Sequence, residues 1–225
     1  MKRSEINHII SNAKSFLAER QFHLPPWAYW NVSQWKENRE NASEVIENML
    51  GWDITDFGSG DFSSRGLFLF TIRNGKYKVD NKPYAEKIMI VEENQETPMH
   101  YHWSKMEDII NRGGGNLVIE LFNSTGEKQL DPKHPVHIKT DGIGRIVEAG
   151  GSVVLKPGES ICLEQGIFHR FYGESGKGKV LVGEVSTVND DNTDNFFHEP
   201  IGRFPEITED AAPLHLLVAD YKKFL

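Results

Sequence analysis

The chain has 225 residues, of which 38% are hydrophobic, 26% charged and 11% aromatic. This mixture supplies enough apolar material for one buried core and excludes a disordered, collagen-like or membrane-embedded class. The formal net charge of −8 disfavours phosphate backbones and anionic lipid surfaces, so we expect neither a nucleic acid nor a membrane as partner.

The first 60 residues are predicted to form a helical N-terminal extension. A second helical stretch from Glu44 to Leu50 meets a stop signal at Gly51. Before it, apolar residues recur at helical spacing on one face, namely Ile6, Ile9, Ile10, Ala13, Phe16 and Leu17.

From about Gly66 the pattern changes to short β-branched and aromatic runs separated by turn residues. The predicted strands are Leu67 to Arg73, Lys76 to Val79, Lys87 to Val91, Met99 to Trp103, Asn116 to Asn123, Val136 to Lys139, Gly151 to Leu155, Ser160 to Leu163, His169 to Tyr172 and Lys179 to Val188. Strands without helices between them favour an antiparallel sandwich or barrel over residues 66–190. Residues 191–225 are predicted to hold a lid loop and a C-terminal helix, which completes one domain over 1–225.

The segment from Pro98 to Glu107 contains a His-x-His pair, His100 and His102. Residues two apart on a strand point the same way, so the two imidazoles would project from one face about 6.6 Å apart along the backbone. Glu107 follows closely enough to turn back to the same point. Two imidazoles and a carboxylate suit a divalent first-row metal, although a bare His-x-His is also found as a pair of surface histidines.

A second segment supplies another candidate ligand, His169. Gly166 permits a tight bend just before it, so a facing sheet would present His169 toward the first pair. Together the two segments resemble the two motifs of the cupin superfamily, small double-stranded β-helix (jelly-roll) barrels with a metal in the mouth. The resemblance implies a mainly β fold and the ligand set His100, His102, Glu107 and His169.

Two further stretches narrow the resemblance: MHYHWSKMEDIINRGGGNLVIEL from Met99 to Leu121, and VNDDNTDN from Val188 to Asn195. With the helical extension and the overall length, they resemble the cupin-type D-lyxose ketol-isomerases. The resemblance implies conversion of D-lyxose to D-xylulose and a second activity on D-mannose. It also implies one divalent ion per chain, most often Mn²⁺, with Zn²⁺, Co²⁺ or Fe²⁺ as alternatives. The protein would be a homodimer.

Isomerisation through a cis-enediol needs a base, and Glu184 is the first candidate. It shares strand parity with Val180 and Val182, so it is buried if that face is interior and solvated if it is exterior; burial would raise its pKa. Lys105, which lies between two predicted ligands, would donate to a sugar oxygen, unless it is an exposed loop lysine. A metal-assisted hydride shift would need no strong base.

Sugar hydroxyls require directional polar groups, and Asp190, Asp194 and Arg203 follow the strand that carries Glu184. We expect their loop to cover the barrel mouth. Trp103 would offer an apolar face to the sugar, although a packing role is commoner.

Two rival functions remain open at this point. Two histidines and a glutamate also serve mononuclear iron dioxygenases, and a lidded pocket also suits a non-catalytic sugar-binding cupin. The lone Cys162 has no internal disulfide partner, and polar residues follow Met1 where a signal peptide would be apolar, so we expect a cytoplasmic protein.

Overall fold

Two curled antiparallel sheets face each other in the computed structural model, which describes residues 1–76, 79, 81–188, 190 and 193–225. In these ranges the helices are α1 (Arg3–Glu19), α2 (Val32–Glu37), α3 (Ser43–Glu47) and α4 (Tyr221–Phe224). The strands are β1 (Gly51–Thr55), β2 (Leu67–Arg73), β3 (Tyr84–Val91), β4 (His100–His102), β5 (Glu107–Gly114), β6 (Leu117–Ser124), β7 (Leu130–Asp131), β8 (Val136–Thr140), β9 (Ile143–Val147), β10 (Ser152–Leu155), β11 (Ser160–Leu163), β12 (Ile167–Gly173), β13 (Val180–Thr187) and β14 (Asn195–Phe197).

The strand order shows how distant segments of the chain meet. The larger sheet runs β1-β2-β3-β13-β5-β11-β8-β9 and the smaller one β10-β6-β12-β4-β14, with β7 beside β6. All pairings between these strands are antiparallel. The mainly β, cupin-type architecture predicted from the sequence is therefore confirmed.

Apolar side chains fill the space between the sheets, where Leu69, Ile109, Leu121 and Phe171 belong to one buried cluster. A second cluster lies outside the larger sheet, where the apolar face of α1 packs on β2 and β3 through residues such as Ile10, Phe70 and Ile88. The helical face read from the sequence is thus the face that is buried. Apolar clusters thus cover both faces of the larger sheet. The polar side chains gather at the mouth of the barrel.

Several element boundaries differ from the prediction. Gly51–Thr55 is a strand inside the predicted helical extension, because it pairs along its whole length with β2. The tail from residue 212 forms only a short 3-10 turn and α4, and Pro213 precedes both. Leu216, Leu217 and Tyr221 are nevertheless buried, as expected.

Parts of two predicted features lie outside the described residues: the strand Lys76 to Val79 at positions 77 and 78, and the stretch Val188 to Asn195 at positions 189, 191 and 192. In the part of the chain that the structure describes, no helix is both long enough and apolar enough to span a bilayer.

Candidate metal centre and active site

Three histidines meet at one end of the barrel because of the pairing of β4 with β12. His100 and His169 are register partners on these two strands, and His102 lies one strand pleat further along β4. The ring centroid of His100 is 5.0 Å from that of His102 and 4.3 Å from that of His169. One ligand atom from each of the three rings lies within 4.8 Å of the others.

Backbone carbonyls orient two of these rings. The Nδ1 atom of His100 lies 2.8 Å from the carbonyl oxygen of Pro98, and Nδ1 of His169 lies 3.0 Å from that of Ile167. A carbonyl only accepts, so each Nδ1 carries a hydrogen, and in the neutral ring each Nε2 keeps a lone pair. Burial, together with the other two histidines, lowers the pKa of His100 well below its usual value, which keeps its ring neutral.

Glu107 completes the cluster from the start of β5. Its Oε1 atom lies 3.1 Å from Nε2 of His169 and 3.4 Å from Nε2 of His102. Burial raises the pKa of Glu107, but Lys105 and His102 lower it more, and the net shift is well below the ordinary value. The carboxylate is therefore ionised, with one oxygen among the imidazoles.

This donor set fits a divalent cation. Nε2 of His169 is buried and makes no hydrogen bond within the described residues. An ionised oxygen, Oε1 of Glu107, lies 3.1 Å from it. Two acceptor atoms facing each other in a buried site are unfavourable unless a cation lies between them. Neutral imidazoles and an ionised carboxylate are the forms that bind a metal. The four predicted ligands are thus together, and they are suited to hold an ion.

Lys105 links the ligand cluster to the predicted base. Its Nζ atom donates to Oε2 of Glu107 at 2.5 Å and to Oε1 of Glu184 at 2.9 Å. Burial lowers the pKa of Lys105, but Glu107 and Glu184 raise it by more, so the side chain is an ammonium. Lys105 is buried, and the alternative of an exposed loop lysine is wrong.

Glu184 lies on the interior face of β13, so the solvated alternative is also wrong. The expected rise of its pKa is wrong in sign. Burial alone does raise it, but Lys105 and Lys87 lower it by more. Glu184 is consequently ionised and able to accept a proton.

Sequence reasoning missed Lys87. It lies opposite Glu184 in the register of β3 and β13, and its Nζ atom is 3.1 Å from Oε1 of Glu184. The signal was present in the parity of β3, where Lys87 shares an interior face with Met89 and Val91. A lysine at an interior position of a strand marks a paired or functional group.

The predicted lid residues have different positions. Asp194 is buried and accepts from Ser104 N at 2.8 Å and from Lys105 N at 3.1 Å, so it holds the loop between β4 and β5. Asp190 is exposed and accepts from the Thr193 hydroxyl. It lines a separate cleft of about 500 Å³ that contains none of the three histidines.

Arg203 lies at the barrel mouth and pairs with Asp53 at 2.7 Å. Trp103 does not line the cavity beside the three histidines. It has the same strand parity as Tyr101, whose side chain lies on the face of β4 away from the histidines. Its ring packs on Tyr101 and Phe196 and is 47% exposed. We therefore leave Trp103 out of the candidate sugar site.

The cavity above the histidines is small, with a volume of about 40 Å³. Its lining combines four charged side chains, Lys87, Lys105, Glu184 and Arg203, with apolar ones that include Phe57 and Phe197, whose ring centroids are 5.9 Å apart. Charged groups beside apolar surface are the lining expected of a sugar site. A cavity of about 40 Å³ holds only a few water molecules, so a sugar enters only when the mouth opens further.

Fold and site together define a cupin-type barrel with a histidine and carboxylate cluster in its mouth. Solved structures share this fold: the L-ribose isomerase of Cellulomonas parahominis with L-psicose has a TM-score of 0.63 at 15% identity, and that of Acinetobacter sp. DL28 in complex with L-ribose has 0.62 at 15% identity. Each comparison covers 92% of this chain and 98% of the other.

Sequence comparison narrows the class. Residues 1–221 match the D-lyxose isomerase family model. Relatives described as D-lyxose/D-mannose isomerase are 49% identical in Serratia proteamaculans and 47% identical in Escherichia coli O157:H7, and both alignments cover 100% of each chain. The chain belongs to the D-lyxose isomerase family and is an aldose–ketose isomerase.

Proposed function

We propose that this enzyme interconverts D-lyxose with D-xylulose and D-mannose with D-fructose. One divalent ion per chain would be held by His100, His102, Glu107 and His169. The observation that carries the proposal is the Lys105 ammonium, which lies between the ligand Glu107 and the ionised Glu184 at 2.5 and 2.9 Å. The names of the two full-length relatives support the choice of sugars.

When bound, a divalent ion supplies a Lewis acid that polarises the sugar carbonyl and the neighbouring hydroxyl. The protein supplies the proton transfers. Glu184 removes the proton from C2 of the open-chain aldose and returns it to C1. Lys105 donates a proton to O1 and recovers one from O2, so one hydrogen moves between the carbons and one between the oxygens.

Arg203 and Asp194 have supporting roles in this proposal. Arg203 lines the cavity and donates to a sugar hydroxyl. Asp194 keeps the backbone of Ser104 and Lys105 in place. Asp190, at the neighbouring cleft, contacts a sugar on its way to the mouth.

The carbon-bound hydrogen distinguishes this route from a hydride shift. A proton held by Glu184 exchanges with solvent, whereas a hydride that moves directly between C1 and C2 does not. Turnover in D₂O should therefore place deuterium on C1 of the ketose formed from the aldose. Product that stays free of deuterium would establish the hydride shift and remove Glu184 as the base.

The metal, the oligomeric state and the compartment are further proposals. Mixed imidazole and carboxylate ligation suits Mn²⁺, with Zn²⁺, Co²⁺ and Fe²⁺ as competitors. Homodimerisation is checked by light scattering in solution, and a mass of about 25.6 kDa would contradict it. A cytoplasmic location agrees with a composition that includes only one cysteine.

Turnover of a panel of aldoses tests the function. Chelator-treated protein is supplied with Mn²⁺, and ketose formation is measured for D-lyxose and D-mannose. D-xylose and D-glucose, their C2 epimers, are the matched substrate controls because they yield the same ketoses. We expect ketose from the first pair and at least tenfold less from the second.

Three results would contradict the proposal. Failure to form ketose from any aldose would favour a sugar-binding protein. Oxygen uptake with loss of activity under anaerobic conditions would identify a dioxygenase. Equal activity of chelator-treated protein with and without added metal, with no metal found by elemental analysis, would show that the histidine cluster holds no required ion.

A further inference from the structure

The two carboxylate oxygens of Glu184 have different surroundings. Lys105 Nζ lies 2.9 Å from Oε1 and Lys87 Nζ lies 3.1 Å from the same atom. No donor from the described residues reaches Oε2. Glu184 lines the cavity beside the histidines, so its second oxygen is the one available for a substrate proton.

Lys87 has a more restricted set of contacts than Lys105. Lys105 also donates to the predicted ligand Glu107, whereas the ion pair of Lys87 with Glu184 is its only polar contact to a side chain in the described residues. The side chains of Lys87 and Lys105 are each only 3% exposed, so the ion pairs that they form with Glu184 are shielded from water. Burial of an ammonium group with a single anionic partner costs desolvation free energy. The fold nevertheless keeps Lys87 on the interior face of β3.

The backbone explains how this pair is fixed. Lys87 and Glu184 are direct cross-strand neighbours in the central part of the larger sheet, between β3 and β13. Cross-strand neighbours on one face lie about 5 Å apart at Cβ, so the two side chains are held by the sheet itself. Lys105 comes from the loop after β4 and approaches from the other direction.

We propose that Lys87 is a positioning residue, which holds Oε1 of Glu184 so that Oε2 acts as the base on C2 of the sugar. This inference rests on the proposed isomerase function. Lys87 acts through Glu184: it sets the direction of the free oxygen, and it balances the carboxylate charge without adding a bond to a metal ligand.

Replacement of Lys87 by Met tests the role because the side chain stays similar in volume and loses its charge. A base misplaced by about 1 Å costs on the order of 10²-fold in rate. We expect Lys87→Met to lower kcat for D-lyxose by 30- to 100-fold, with KM changed less than threefold. Mn²⁺ affinity, measured by titration with electron paramagnetic resonance detection, should stay within twofold of the wild type.

Lys87→Arg provides the conservative rescue, and it should recover at least tenfold of the kcat lost in Lys87→Met. The matched control is Lys139→Met, an exposed lysine on β8 of the same sheet, which should keep wild-type kinetics. A purely structural role would instead lower the melting temperature and the Mn²⁺ affinity of the Met variant together with kcat, and Arg would not rescue it selectively.

The outcomes separate this inference from the function on which it rests. An active wild type with Lys87→Met within threefold of its kcat overturns the positioning role alone. An active wild type whose Met variant loses kcat, melting temperature and metal affinity together also overturns it. A wild type that forms no ketose from D-lyxose or D-mannose overturns the proposed function and the inference with it.

Discussion

Glu184 is the residue on which the proposed chemistry depends most directly. It is ionised because two ammonium groups offset its burial, and it is near the ligand cluster without belonging to it. Glu184→Gln keeps the shape and removes the base, so kcat should fall by about 10³-fold or more. Elemental analysis should still find one metal ion per chain.

A matched control for Glu184→Gln is Glu164→Gln, an exposed carboxylate before β12. It should retain full activity. If Glu184→Gln kept more than a tenth of the wild-type kcat, Glu184 would not be the base, and the hydride shift would become the simpler mechanism.

Phe57 illustrates a different constraint on a single residue. Its φ of 52° lies in the left-handed region, which bulky side chains rarely occupy, and its ring forms part of the apolar lining of the cavity. Thr55 Oγ1 accepts from its backbone N–H at 2.9 Å and stabilises this conformation. The strained backbone of Phe57 thus lies at the cavity, and we expect the end of the sugar far from C1 to contact its ring.

D-Mannose is one carbon longer than D-lyxose, so the bulk of Phe57 should limit its use. We expect Phe57→Ala to raise the ratio of kcat/KM for D-mannose to that for D-lyxose by about tenfold, the usual effect of room for one carbon. Phe68→Ala, which removes a buried ring from the helix-facing cluster, controls for lost stability. A ratio unchanged in Phe57→Ala would show that the sugar does not contact this ring.

Among the connecting elements, the loop between β4 and β5 carries Lys105 between two proposed ligands, His102 and Glu107. Asp194 holds this loop through the Ser104 N–H, the Ser104 hydroxyl at 2.6 Å and the Lys105 N–H. Asp194→Asn halves the acceptor capacity, so the loop should loosen. We expect Mn²⁺ affinity to fall about tenfold, the range typical for groups that support metal ligands, measured by calorimetry.

Asp190→Asn is the control for Asp194→Asn, since Asp190 is exposed and accepts from the Thr193 hydroxyl within its own turn. It should leave the metal affinity unchanged. An Asp194→Asn variant with wild-type affinity would mean that the ligand positions do not depend on this loop.

The same elements show what the sequence could reveal. The His-x-His strand was readable because parity fixes which side chains share a face, and the helical face of α1 because its period is regular. Strand β5 was not among the predicted strands, and its last residues, Gly113 and Gly114, pair with β13 beside a register shift that no local pattern encodes. The pairing of Lys87 with Glu184 depends on a contact between segments about 100 residues apart, which local pattern does not encode.

The N-terminal helix and the C-terminal tail meet at an ion cluster in which Arg3 and Asp220 are buried and Glu209 is partly exposed. Arg3, with no exposed side-chain surface, contacts Asp220 and Glu209 at 2.8 Å each. Glu209 also binds Lys223 at 2.7 Å. The N-terminal helix and the C-terminal tail are therefore fixed to each other as well as to the larger sheet.

This cluster predicts a specific dependence of stability on pH. The hydrogen bond from Arg3, with a further contribution from Lys223, outweighs burial and lowers the pKa of Glu209 to about 2, from an ordinary 4.5. A carboxyl group whose pKa is lower in the folded state stabilises the fold above about pH 4.5, and this contribution disappears as the pH falls toward 2.

Glu209→Gln should therefore destabilise the protein by about 1 kcal/mol at pH 7, a melting-temperature loss of about 3 °C, because the pair is partly exposed. The difference from the wild type should shrink steadily between pH 4.5 and pH 3 in thermal melts. Glu206→Gln, an exposed carboxylate with no ion pair in the described residues, should show no such trend. A Glu209→Gln deficit that stayed constant down to pH 3 would mean that the two ends are joined by packing of Leu217 and Tyr221 and not by charge.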